Sequence, residues 1–143
     1  MATLDNGFRV RHLDHVALAV RDLDRAKAFY ERVLGLRETF PGHWDGSPVL
    51  MLSGKPGRGT GVALYPEDAE EVAGNGSGGM IAPPDEDRHF AFRVPIEEFE
   101  PACKHLKQQG LVHEVRNHGV SVSVYFEDPD DNRIEITAYR DPA

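Results

Sequence analysis

The sequence predicts an α+β fold in which one βαβββ unit occurs twice. Two short strands, HVALAV and RHFAFRV, each carry a histidine near the start and an alanine two residues later. Each strand runs into a helix-like segment that ends at a glycine: Gly35 follows His15 by 20 residues, and Gly110 follows His89 by 21. A single unit of this kind leaves one sheet face open, so two units must pack together or share a surface. We therefore expect two βαβββ modules that form a cupped mixed sheet.

The first unit is read from its alternation and its helix signals. Residues 13–20 alternate bulky and small side chains, as a strand does when one face is buried. Asp22 is predicted to cap the next helix, whose apolar side chains recur at helical spacing, and Gly35 to end it in a left-handed conformation. The remaining strands are predicted at residues 36–40, 48–53 and 61–66.

The second unit follows a glycine- and proline-rich stretch. Residues 67–87 contain GNGSGGMIAPP, which has the composition of a flexible linker. A strand at 88–94 and a helix at 96–109, ended by Gly110, are predicted after it. Further strands are predicted at residues 112–116, 120–126 and 133–139. The chain thus reads as one domain, 1–143, made of two repeats at about 10–67 and 88–140.

Composition excludes several classes of protein. The net charge of −8 argues against nucleic acid as a partner, because a phosphate backbone attracts a basic surface. No apolar run approaches the length of a membrane span, and the opening residues lack the apolar core of a secretory signal. One cysteine cannot form an internal disulfide, which fits a reducing compartment. We expect a cytoplasmic protein with a small-molecule substrate, no nucleic acid and no membrane.

Three side chains are candidate metal ligands. Glu135 lies between two isoleucines in the last predicted strand, so it faces away from the apolar core. A carboxylate within a strand is costly unless it is paired or binds a cation. With His15 and His89 it makes two imidazoles and one carboxylate, the set that binds Fe(II) and also suits Mn(II) or Zn(II). The alternative is that Glu135 protects an edge strand and the histidines are incidental.

The segments LDHVALAVRDLDRAKAFYERVLGL, RHFAFRV and SVSVYFEDPDDNRIEIT resemble the vicinal oxygen chelate superfamily. That superfamily holds glyoxalase I, extradiol ring-cleaving dioxygenases, fosfomycin-modifying thiol transferases and bleomycin-resistance proteins. The resemblance implies a glyoxalase-like fold around a metal site, with ligands at His15, His89 and Glu135. The fourth ligand position of glyoxalase I falls on Ala63, which cannot ligate. This vacancy favours the three-ligand members, the dioxygenases and the thiol transferases.

The resemblance makes an extradiol dioxygenase with Fe(II) the leading hypothesis. His118 and Tyr125 match positions that act as acid/base groups beside the metal in those enzymes, although His118 can equally be a turn residue that caps a strand. Thiol transferases for fosfomycin carry a basic, tyrosine-bearing tail, and TAYRDPA lacks one. The alternatives are a thiol transferase of that type, a glyoxalase-like lyase, and a metal-free bleomycin-resistance-like protein, for which an acidic charge suits a cationic drug.

Three further residues are predicted to contact the substrate. Arg93 and Arg133 share the site face by strand alternation, and either can bind a substrate carboxylate. The alternative for Arg133 is a solvated side chain, because it lies next to a turn. Trp44, in the loop PGHWDG, can cover the cup, although it can equally be an ordinary surface aromatic. The resemblance also implies a homodimer, because family members are commonly dimers whose sites draw on both chains.

Overall fold

The computed structural model describes residues 6–68, 88–111 and 113–140, and these confirm the predicted α+β architecture. The first unit comprises β1 (His15–Val20), α1 (Leu23–Leu34), β2 (Arg37–Thr39), β3 (Val49–Leu52) and β4 (Gly61–Pro66). The second comprises β5 (His89–Arg93), a 3₁₀ turn (Ile96–Glu98), α2 (Phe99–Gln108), β6 (Glu114–Asn117), β7 (Ser121–Glu127) and β8 (Arg133–Tyr139). Most of the predicted linker, 69–87, lies outside the described residues.

The two units have the same sheet topology. The first sheet has the order β1-β4-β3-β2 and the second β5-β8-β7-β6. In each, the first and last strands of the unit pair in parallel, and the other neighbours are antiparallel. Parallel neighbours need a crossover connection, which the helix of each unit begins. The histidine strands β1 and β5 therefore lie at the edges of their sheets.

The predicted second helix divides into a 3₁₀ turn and an α-helix. Residues Ile96–Glu98 form the turn, and α2 begins at Phe99. Pro101 explains the boundary, since it has no N–H to donate to a carbonyl four residues earlier. Proline is tolerated in the first turn of a helix, where those N–H groups have no partner in any case. The helix begins late enough to place Pro101 there.

The signals that bound α1 act as predicted. The Asp22 side chain accepts a hydrogen bond from the backbone N–H of Arg25 at 3.0 Å. Gly35 ends the helix at φ 67°, a left-handed conformation that side chains other than glycine adopt with strain. The helix buries Ala26, Phe29, Tyr30 and Val33.

A shared core joins the two units. The ring of Phe29 in α1 lies 6.5 Å from that of Phe126 in β7. Beside it, the buried hydroxyl of Tyr30 donates to the Asp128 carboxylate at 2.7 Å. Both helices therefore pack on the apolar faces of the sheets, and the opposite faces carry the histidines. No helix in the described part of the chain is long and apolar enough to cross a membrane.

Candidate metal and substrate site

Strand alternation places the candidate residues on one face of the second sheet. Ile134 and Ile136 are buried on the core side of β8, so Glu135 points to the opposite face. Tyr125 is the antiparallel partner of Glu135 in β7, and Ser123 is two residues away on the same face. Residues directly opposite in such a pair have Cβ atoms about 4.5–5.5 Å apart. A carboxylate, a hydroxyl and a phenol are thus held together by backbone register.

His89 and Glu135 form the centre of this face. His89 Nε2 lies 2.9 Å from Glu135 Oε1. Ser123 Oγ donates to the other carboxylate oxygen, Oε2, at 2.6 Å and lies 3.0 Å from Thr137 Oγ1. The Glu135 side chain is only 12% exposed, and that of His89 33%. The carboxylate is therefore fixed on one side and presents its second oxygen to the imidazole.

His15 lies outside this pair. Its Nδ1 is 2.7 Å from Asp14 Oδ2, and its side chain is 42% exposed. An ionised carboxylate only accepts hydrogen bonds, so Nδ1 donates to Asp14, and in the neutral imidazole Nε2 then has the free lone pair. Among the described residues, no three His, Cys, Asp or Glu side chains are grouped so that they can hold a metal ion. One chain thus brings His89 and Glu135 together without His15.

The register also locates the equivalent of Glu135 in the first unit. Ala91, two residues after His89, is paired with Glu135. Ala17, two residues after His15, is paired with Ala63. The position that is a carboxylate in the second unit is therefore a buried methyl group in the first.

His118 and Tyr125 interact beside the central pair. His118 Nε2 lies 3.1 Å from the Tyr125 hydroxyl, and the Tyr125 ring meets that of His89 edge-on at 5.7 Å. Burial raises the pKa of Tyr125, and the nearby negative charge of Glu135 raises it further. The phenol therefore stays protonated at neutral pH and is able to donate a hydrogen bond.

Two guanidinium groups lie over the same phenol ring. Arg133 Cζ is 4.7 Å from the Tyr125 ring centroid, and Arg116 Cζ is 5.2 Å from it. Both arginines are within 4 Å of Glu114, whose carboxylate is 2.7 Å from Arg116 Nε and 3.8 Å from Arg133 Nη2. The side chain of Arg133 is only 21% exposed. Arg133 thus lies on the site face, where strand alternation places it.

Arg93 and Trp44 have other described neighbours, although Arg93 is paired with Thr137 on the face of Glu135. Arg93 lines a cavity of about 280 Å³ between the two histidine strands, together with apolar side chains that include Val16 and Phe90. Trp44 packs against Phe40 and His43, with ring centroids 6.2 and 5.0 Å apart. Neither residue has a described contact with the His89–Glu135 pair, so their predicted roles stay predictions.

Four residues near the candidate site were not predicted from the sequence: Ser123, Asp14, Glu114 and Arg116. Ser123 had a visible signal, because it alternates with the apolar residues of β7 and so faces Glu135. Asp14 directly precedes His15, the position from which a carboxylate can orient an imidazole. Glu114 and Arg116 carried no signal, since their strand is exposed throughout and its register cannot be read from hydrophobicity.

The donor atoms present fit a divalent metal in part. The imidazole nitrogen and the carboxylate oxygen lie 2.9 Å apart, which is the spacing of two ligands bound to one ion. Ser123 orients the carboxylate, and Asp14 orients the second histidine, as outer partners do in metal sites. His89 and Glu135 would hold such an ion from this chain, and a third ligand must approach from outside the pair.

Comparison with known proteins identifies the fold and the family. The model described as the Glyoxalase/Bleomycin resistance protein/Dioxygenase superfamily matches residues 12–136. A protein from Serratia marcescens named "Glutathione transferase FosA" is 30% identical over 128 residues, 89% of this chain and 80% of the relative.

Solved structures share the architecture. The fosfomycin resistance protein FosX from Listeria monocytogenes has a TM-score of 0.67 at 21% identity, covering 92% of this chain and 94% of that one. A glyoxylase/bleomycin resistance protein/dioxygenase domain from Frankia sp. EAN1pec has a TM-score of 0.67 at 23% identity, covering 94% and 96%. At these identities the likeness concerns the fold, which is the glyoxalase-like one that the sequence predicts.

Proposed function

This chain belongs to the Glyoxalase/Bleomycin resistance protein/Dioxygenase superfamily, and we propose that it is a metal-dependent enzyme that adds a thiol or water to a small substrate. The observation that carries the proposal is the His89–Glu135 pair, 2.9 Å apart and held by Ser123. The similarity to a glutathione transferase favours group addition over ring cleavage, the function that we expected first.

We propose that a second copy of the chain supplies His15 as the third ligand. His15 is oriented by Asp14 and exposed, yet it lies outside the group formed by His89 and Glu135. The His15 and His89 faces of the two sheets are the faces that the helices leave open. A homodimer that opposes these faces completes two equivalent sites, as expected for a two-fold symmetric interface.

The residues around the proposed metal have different roles in the proposed reaction. A divalent metal bound at His89 and Glu135 would polarise the substrate oxygens that it contacts. Ser123 keeps Glu135 in one orientation, so the carboxylate does not have to be ordered when substrate binds. Tyr125 stays protonated and donates to a substrate oxygen, while His118, 3.1 Å from its hydroxyl, takes or returns a proton.

The test begins with purified protein loaded separately with Mn(II), Zn(II) and Fe(II). Each form is incubated with fosfomycin or with 2-oxoaldehydes, in the presence of glutathione, cysteine or water alone, and products are followed by mass spectrometry. We expect metal-dependent addition that Glu135→Gln abolishes. A chain that holds the metal but forms no adduct contradicts the proposal, and one that takes up no metal favours a metal-free drug-binding protein.

Extradiol cleavage of a catechol is the second candidate. The contact between His118 and Tyr125 favours it, because these residues match the acid/base positions of such dioxygenases. Fe(II) remains our predicted metal for this reaction. Anaerobic loading with Fe(II) and a panel of catechols, followed by O₂, should give a yellow ring-cleavage product. Full iron occupancy without product would eliminate this candidate.

A further inference from the structure

A cavity of about 280 Å³ lies between β1 and β5, which are edge strands of the two sheets. Most of its walls are apolar, with Leu13 and Val16 from the first unit and Phe90 and Phe92 from the second. An engineered protein cavity of about 150 Å³ is large enough to hold a benzene molecule. The cavity between β1 and β5 therefore has room for a molecule with two fused aromatic rings.

The aromatic walls of the cavity favour a planar ligand. The rings of Phe90 and Phe92 meet edge-on, with their centroids 5.6 Å apart. Both side chains are half-buried, and that of Leu13 is 64% exposed, so part of this apolar surface is in contact with water. An aromatic ligand packed here would bury that surface and also gain edge-to-face contacts with the two phenyl rings.

The charge of the lining favours an anionic ligand. Among the described residues that line the cavity, Arg93 is the one with a permanent positive charge, and none is an Asp or Glu. The Arg93 guanidinium is exposed and makes no hydrogen bond or ion pair within the described part of the chain. The Thr60 hydroxyl, in contrast, already donates to the Leu13 carbonyl. A guanidinium with free N–H donors beside apolar walls matches a carboxylate attached to an aromatic body.

We propose that this cavity binds a small aromatic carboxylate, with its rings against Val16, Phe90 and Phe92 and its carboxylate on Arg93. The inference goes beyond the proposed reaction and does not depend on it. None of the three proposed metal ligands is among the residues that line the cavity.

The apolar walls lie on the other side of the sheets from the proposed metal site. Val16 and Phe90 pack against the shared core, whereas Glu135 and His89 meet on the opposite face. A ring system held between the apolar walls is therefore separated from the metal site by the strand that carries His89.

Arg93 is on the same face as His89 but is four residues further along β5. At about 3.3 Å per residue, the two positions are about 13 Å apart. A carboxylate bound by Arg93 is thus too far from His89 to share its metal ion. The two sites are nevertheless neighbours, since Ala91 lines the cavity and is the strand partner of Glu135.

Calorimetric titration of the full-length, metal-free protein with 2-naphthoate tests the inference. The neutral analogue of the same shape is 2-naphthamide, and acetate is an acid without a ring. Because a hydrogen bond to a charged group is stronger than one to a neutral group, we expect 2-naphthoate to bind at least about ten-fold more tightly than 2-naphthamide. Acetate should not bind measurably, since it has no apolar body to bury.

Two substitutions separate the contribution of the charge from that of the cavity. Arg93→Gln should weaken binding of 2-naphthoate by about ten-fold and leave 2-naphthamide unchanged. Arg37→Gln removes another exposed arginine from an edge strand and is its control. Val16→Phe fills the cavity and should weaken both ligands by on the order of ten-fold. Val122→Phe is the matched control, because Val122 is also a half-buried valine packed against the core but does not line the cavity.

Glu135→Gln distinguishes the cavity from the metal site and should bind 2-naphthoate like the wild type. A loss of about ten-fold in this variant would mean that the ligand occupies the metal site and would overturn the inference. With the fold intact by circular dichroism, so would unchanged affinity in Arg93→Gln or an equal loss in Val16→Phe and Val122→Phe. Absence of 2-naphthoate binding at millimolar concentration would also overturn it.

Discussion

The two strands that open the two units carry a histidine at the same register position, but the residues around each histidine differ. Around His89 the second sheet places Glu135, Ser123 and Tyr125, all polar and partly or fully buried. Around His15 the first sheet places Ala63 in the position of Glu135 and Leu50 in the position of Tyr125. Asp14, from the strand's own approach, is the described polar partner of His15.

This difference shows which features the two copies of the unit share and which differ between them. Both units keep the same sheet order and the same apolar face, because those features hold the fold. The open face of the second unit carries Glu135, Ser123 and Tyr125 beside His89. The open face of the first carries His15 and has an alanine, Ala63, at the position of the carboxylate. We infer that a complete site needs one open face of each kind.

Loss of Glu135 should have the largest effect on this division. Glu135→Gln removes the carboxylate that lies 2.9 Å from His89 Nε2, and we expect divalent-metal affinity to fall by more than about 100-fold. Metal content after dialysis against limiting Mn(II), measured by mass spectrometry, checks this. Glu97→Gln, an exposed acid in the 3₁₀ turn, should bind metal like the wild type. Equal metal retention by both variants would remove Glu135 from the site.

Loss of the Ser123 hydroxyl, which orients the Glu135 carboxylate, should lower metal affinity less than loss of Glu135 does. Ser123→Ala leaves Glu135 Oε2 without its donor at 2.6 Å, and outer partners of this type are worth about 10–100-fold in metal affinity. Ser121→Ala is the matched control, because that serine lies on the same strand and the same face and is also buried. A similar loss in both variants would mean that general packing, and not orientation of Glu135, is responsible.

The smallest effect concerns the contact that joins the two units. Tyr30→Phe removes the hydroxyl that donates to Asp128 and should lower the free energy of unfolding by about 1–3 kcal/mol. Metal affinity should not change, since the bond lies on the core side of the sheets. Urea denaturation of both proteins, with a metal titration of each, measures the two quantities.

The hydrogen bond between Tyr30 and Asp128 also makes the free energy of unfolding depend on pH in the alkaline range. Burial raises the pKa of Tyr30 well above 10.0, and the charge of Asp128 raises it further. The contribution of this hydroxyl is therefore present below pH 10 and is lost above it, as the unfolded chain ionises first. The stability gap between wild type and Tyr30→Phe should narrow between about pH 10 and pH 11. A gap that is constant over this range would show that the Tyr30 proton is not coupled to folding.

Local signals predicted the fold well. The cap at Asp22, the stop at Gly35 and the alternation around Glu135 each depend on neighbouring residues, and each is found in the structure. The start of α2 was misplaced because the apolar pattern alone does not register the missing N–H of Pro101. The position of Pro101 in the sequence therefore indicates where α2 begins, although the apolar pattern alone does not.

Contacts between strands that are far apart in the sequence were harder to predict. Strand alternation placed Glu135 and Arg133 on one face, as the structure does, yet it said nothing of which histidine would share that face within one chain. The exposed strand β6 has no apolar alternation, so its register, and with it the position of Arg116 over Tyr125, could not be inferred. Predicting these contacts requires the packing of whole units.

The most direct test is complementation between two inactive variants. His15→Ala lacks one proposed ligand and Glu135→Gln another, so each alone should bind almost no metal. In a refolded equimolar mixture, half of the dimers are mixed, and each mixed dimer has one intact site if the two copies share their ligands. We expect the mixture to recover about a quarter of the wild-type Mn(II) capacity, measured by electron paramagnetic resonance. No recovery, with mixed dimers verified by native mass spectrometry, would contradict a site built from the first face of one copy and the second face of the other.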